Sequence, residues 1–127
     1  MSTRSEALAR RIEEGAAQLA ACVQSLSDPL WNAVVQPDGR TVGVIVHHVA
    51  SVYPLEIQIA QTVAAGKPVS GVAWSAVHEM NAGHAVEHDA VTKAAALDLL
   101  RRNSAAAAAA IRALRDEDLD RAATVSL

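Results

Sequence analysis

Two pairs of histidines carry most of the chemistry this sequence can offer: the adjacent His47 and His48, and His84 and His88, spaced four apart. Neutral imidazole is the commonest side-chain ligand of transition metals. Residues four apart share one face of a helix, so His84 and His88 have the spacing to hold one ion together. A third ligand from a neighbouring helix would give a site of the catalytic kind, with a fourth position left for water. At about 100° per residue, the stretch Thr41 to Ala65 separates its two histidines. His48 falls on the flank of an apolar face beside Val52, Leu55 and Ile59, whereas His47 lies on a polar stripe with Ser51, Gln58, Gln61 and Thr62 that is expected to face water. The expected ligands are therefore His48, His84 and His88, with Asn81 on the same stripe as the pair and zinc or nickel as the ion. The competing reading has His48 donating to a backbone carbonyl and the other pair lining a solvated groove.

Other residues are weaker candidates. His84 to His88 reads H-A-V-E-H, the pattern of inverted zinc peptidases. The wheel, however, puts Glu87 on the opposite stripe, away from any ion the two histidines would share, so chance spacing is the better explanation. Glu56 lies about 12 Å further along the helix axis than His48 and reads as a surface carboxylate at an interface edge. Cys22, beside Leu19, Val23 and Leu26, has no cationic neighbour in sequence to lower its pKa and is expected to be a packing residue. Tyr53 and Trp74 are expected in the core, and Trp31 over the end of the bundle.

These residues need long helices to position them. Thr3 and Glu6 have capping-box spacing, and Leu8, Ile12, Leu19, Val23 and Leu26 recur at helical intervals, predicting a first helix over residues 3–27 that Ser27-Asp28-Pro29 stops. Thr41 is a natural N-cap for the long apolar helix that follows, with Pro54 inside it and a kink expected there. A third helix is predicted from about Val72 to Asp89, with a stripe of Trp74, Val77, Asn81, His84 and His88 that is half polar where leucines would serve a core better. Thr92 caps a fourth, about Lys93 to Arg115, in which Leu97, Leu100, Ile111 and Leu114 frame the run Ala105 to Ala110. Alanine is the strongest helix former and lets a neighbour approach closely.

The composition agrees with helices and little else. There is no Phe, two Trp and one Tyr in 127 residues, and the net charge of −3 gives no basic footprint for nucleic acid. One cysteine excludes an internal disulfide and fits a reducing compartment. The charged N-terminus lacks the apolar segment of a signal peptide, and no uninterrupted apolar run approaches roughly 18 residues. The expectation is a cytoplasmic single domain without membrane or nucleic-acid partners. The helix end Leu26-Ser27-Asp28-Pro29-Leu30 is echoed by Leu114-Arg115-Asp116-Glu117-Asp118-Leu119, after which only RAATVSL follows. By that echo a further helix is expected where the sequence stops.

Thr41-Val42-Gly43 and His48-Val49-Ala50 after an L-S-D-x-L helix end, Asn81-Ala82-Gly83-His84-Ala85, Thr92 with Leu97 to Leu100, and Ile111-Arg112-Ala113-Leu114 running to Leu119-Asp120-Arg121 together resemble the DinB-like four-helix-bundle proteins, over about Ser5 to Leu127. The resemblance implies an all-α, antiparallel bundle in up-down-down-up order and a divalent metal, zinc or nickel, on three histidines. One would sit at the position of His48 and two on an H-x-x-x-H motif of the last bundle helix, a helix expected to be missing by the echo above. It also implies a metal-dependent enzyme of the thiol S-transferase or isomerase kind, acting through a small-molecule thiol. The alternative is a non-catalytic binding or dimerisation module without metal. An apolar face left open by a missing helix is expected to be covered in a homodimer.

Overall fold

The computed structural model describes residues 2–71 and 73–126, and every extended element in that span is helical. Four helices are long: α1 (Thr3–Ser25), α3 (Val42–Ala64), α4 (Trp74–Glu87) and α5 (Lys93–Arg112). Two single-turn helices, α2 (Asp28–Trp31) and α6 (Asp116–Leu119), follow α1 and α5. The all-α expectation holds. The predicted start of the third helix at Val72 lies outside the described residues.

Hydroxyl caps set the starts of three long helices. Ser2, not Thr3, accepts from Ser5 N–H; Thr41 accepts from Val44 N–H and Thr92 from Ala95 N–H. Each removes one of the unpaired amides that a helix start leaves. The two echoed sequence segments have the same structural outcome, a four-residue helix immediately after a long one.

The core lies where α5 meets α1 and α3. Val23, Val46, Ala96 and Leu97 pack with Trp31 at one end; Ala16, Ala50 and Leu100 fill the middle; Ala9, Ala108 and Ile111 close the other end, against Ile57. Taken in sequence, these three layers run α1 antiparallel to both α3 and α5, and α3 parallel to α5. Alanines in all three helices allow the close approach, and Leu100, fully buried, is the largest side chain at the centre. Arg112 on α5 pairs with Glu6 on α1 (Nε to Oε2, 2.8 Å) and with Glu13, tying the far ends of these helices together.

Pro54 leaves the carbonyl of Ala50 without its helical donor. The Asn103 side chain on α5 supplies one, Nδ2 to O at 2.8 Å, so the helix continues to Ala64 and the defect becomes a contact. By length and composition α3 would suffice to cross a membrane; here its Val46 and Ala50 pack against α5. At the start of α3, Gly43 lies against the Trp31 indole, where a Cβ would come within 2.6 Å of Cε2. Trp31 is buried at this end of the bundle, the place expected for it, its Nε1 donating to the Val91 carbonyl at 3.1 Å.

Two parallel helices need a connection that returns the full length of the bundle. Gly66, at φ 75°, ends α3, and α4 then runs back along α3. None of its residues is buried and no side chain caps it. Trp74 is 60% exposed and Cys22 is exposed, which corrects the core positions expected for both. Beyond α6, Arg121 donates to the Ala64 carbonyl at 2.8 Å, and Val69 exchanges backbone hydrogen bonds with Thr124 and Ser126.

Candidate metal centre

Because α4 returns antiparallel to α3, its last turn meets the first half of α3. This brings His84 and His88 to His47. One ring nitrogen from each lies within 4.8 Å of the others, and His47 Nδ1 is 2.8 Å from His84 Nε2. The ring centroids are 5.0 Å apart for His47 and His84, 4.1 Å for His47 and His88, and 4.7 Å for His84 and His88. The reading that sends His47 to water is corrected: it is 9% exposed. Its polar stripe faces α4, whose own polar stripe faces back.

His48 stands beside this cluster rather than in it. It is half-buried and meets His84 edge-on at 5.6 Å between centroids. Of the expected set, then, the structure brings together His84 and His88, with His47 as the third member. Sequence reasoning missed His47 because the wheel equates polar with solvated. The signal that could have found it was there: a second polar stripe, on the following helix, in need of a partner. Glu87 is exposed, as is Glu56 at the bundle edge.

Burial holds the His47, His48 and His84 imidazoles below the ordinary value. His84 is lowered furthest, to about 4, by burial first and then by its histidine neighbours and Arg40. At neutral pH His47 and His84 are therefore neutral, with the free lone pair a metal requires. Bonds of about 2.0 to 2.1 Å to zinc put tetrahedral ligand nitrogens roughly 3.4 Å apart, between the 2.8 Å of the closest pair and the 4.8 Å limit of the set. Small ring rotations bridge the difference, so the donor set fits an ion. A second observation agrees. His84 Nδ1 and Asn81 Oδ1, three residues apart on one stripe of α4, are both buried without a hydrogen-bond partner. A metal-bound histidine ordinarily donates its other N–H to such an oxygen.

The model for the DinB superfamily matches residues 11–126. The chain belongs to the DinB superfamily. Comparison with curated proteins and with solved structures finds no match. The family assignment and the helical fold thus agree with the resemblance seen in the sequence. The triad departs from the motif positions that resemblance implied: His47 takes part where His48 was expected, and His84 on α4 and His88 at its C-cap precede the third helix of the core.

Proposed function

We propose that this DinB superfamily member is a metal-dependent enzyme in which His47, His84 and His88 hold zinc or nickel. The observation that carries the reading is the convergence of three imidazoles, two of them held neutral, from two helices that touch little elsewhere. When bound, a divalent ion with an open position would stabilise the anionic form of a thiol or water there. The chain's own part is to present three lone pairs in fixed directions and to keep His47 and His84 unprotonated by burial. A low-molecular-weight thiol as substrate, in a transfer or isomerisation reaction, is the activity we favour. The test is metal analysis of protein made without a histidine tag. Stoichiometric zinc or nickel, lost in His47→Ala and retained in His48→Ala, supports the reading; metal-free protein that takes up neither ion supports the non-catalytic module.

We further infer a homodimer. α1 and α3 both pack on α5 but scarcely touch each other, and between them Ile12, Val49, Val52, Tyr53 and Ile57 line an open groove of about 230 Å³. Such a face favours a second copy over water. Sedimentation giving a monomer at micromolar concentration overturns this.

A further inference from the structure

α3 and α4 meet at their histidine end, where His47 Nδ1 lies 2.8 Å from His84 Nε2. Toward the other end a cavity of about 480 Å³ opens between them. α3 lines it with Leu55, Gln58, Ile59 and Thr62, α4 lines it with Val77 and Met80, and residues 68–71 form a third wall. Small-molecule sites are clefts of roughly 300 to 1,000 Å³, lined mainly by apolar side chains with a few polar groups among them. This cavity has that size and that lining, and none of its lining residues is charged.

Its third wall is pinned from outside. Val69 N–H donates to the Thr124 carbonyl and the Val69 carbonyl accepts from Ser126 N–H, both at 2.9 Å. The Thr62 hydroxyl donates to the Gln58 carbonyl at 2.8 Å, which leaves its lone pairs for another donor. Leu55 and Met80 are large apolar side chains that stay exposed, and the flexible thioether of methionine suits a surface that adapts to a guest. The cavity also shares its helix faces with the histidines. Met80 stands four residues before His84, and Val77 four before Asn81, so each is one turn from a residue of the cluster and on the same face. On α3, Leu55 follows His47 by eight residues. At 1.5 Å per residue the cavity begins about 6 Å from His84 and about 12 Å from His47 along the two axes.

We infer that this cavity receives the apolar body of a substrate whose reacting group lies at the histidine centre. The inference rests on that centre being the reaction site, and it restricts the substrate class to elongated molecules with an uncharged, hydrocarbon-rich part reaching at least about 6 Å from the reacting atom. Such a guest removes Leu55, Ile59 and Met80 from water and asks for no charged partner, which the lining does not have. Three walls around a volume of this size fit a small molecule better than a second copy of the chain, which needs a broad, open face.

The experiment titrates metal-free protein with the straight-chain alcohols from 1-butanol to 1-octanol and follows the methyl NMR signals of Leu55, Ile59, Val77 and Met80. The expected result is a saturable movement of these signals, with affinity rising about twofold to fourfold for each added methylene. Leu55→Gln and Met80→Gln, both at exposed positions, each weaken 1-hexanol binding at least about threefold. In protein loaded with cobalt(II) in place of zinc, the unpaired electrons of the ion broaden the signals of bound 1-hexanol, which ties the cavity to the histidine centre. Movement that does not saturate, affinity indifferent to chain length, binding unchanged in both variants, or bound alcohol that cobalt leaves sharp overturns the inference. Cavity signals that shift on dilution of the protein alone overturn it as well, and assign the face to a second copy. Failure of the protein to take up cobalt, with the alcohol titration intact, would instead strike the metal reading and leave the cavity as a site for an apolar guest.

Discussion

Toward α5, α3 presents Val46 and Ala50, both buried, and its one broken backbone bond is mended by Asn103. Toward α4 it presents His47, Gln58 and Thr62, and α4 with its C-cap answers with Asn81, His84 and His88, the helix burying none of its own residues. The first interface joins helices started by hydroxyl caps and filled by alanine and leucine; the second joins α3 to a helix without one. The first supplies stability through area removed from water and close packing. The second gathers ligands and leaves polar atoms unpaired, an expense a protein meets at functional sites. One helix thus serves as wall of the core on one side and floor of a site on the other.

If that division is right, damage to the α5 side should unfold the protein and damage to the α4 side should not. Leu100→Ala opens a cavity between Ala16 and Ala50 and should cost about 3 to 5 kcal/mol, measured by urea denaturation. Gly43→Ala drives a methyl into the buried Trp31 ring and should cost about 1 to 3 kcal/mol, as overpacking does; a crystal structure would show Trp31 displaced and its bond to Val91 lengthened. Asn103→Ala leaves the Ala50 carbonyl unpaired beside Pro54 and should cost about 1 to 3 kcal/mol. Should Asn103→Ala be neutral, water reaches that carbonyl, and the α5 interface is less dry than described.

How far this division was visible beforehand differs between the two sides. Helix periods, the Thr41 and Thr92 caps and the stop at Pro29 placed the long helices within a few residues, because these signals are local. The partners of each face are not local. The apolar residues of α3 divide between two neighbours, Val46 turning to α5 and Val49 lining the groove beside α1. His47 was assigned to solvent because nothing within α3 tells a polar stripe facing water from one facing another polar stripe. Asn103 reads as an ordinary polar residue until Pro54 is seen to free a carbonyl opposite it.

The gentlest probe of the α4 side is pH. In metal-free protein the folded His84 titrates near 4 and His47 and His48 below their ordinary value of 6.5. Above 6.5 these groups are neutral in both states and contribute nothing to pH dependence. As pH falls from 6.5 toward 4, the unfolded chain takes up protons that the folded chain resists, so stability falls with pH across that window and levels off, for His84, below about 4. Asp38 and Asp118, whose folded values are about 2 against 3.8, lose their stabilising pairings only at lower pH, so the two windows separate. Because the cluster is partly open to solvent and screened by it, the change should be smaller than any of the core substitutions, a modest drop in the urea midpoint between pH 6.5 and 4.5. His84→Gln should flatten that drop without altering the slope below pH 4. A wild-type midpoint that stays level from pH 6.5 to 4.5 would mean the imidazoles are as free to take protons as they are in water, and the α4 side would then be an ordinary surface.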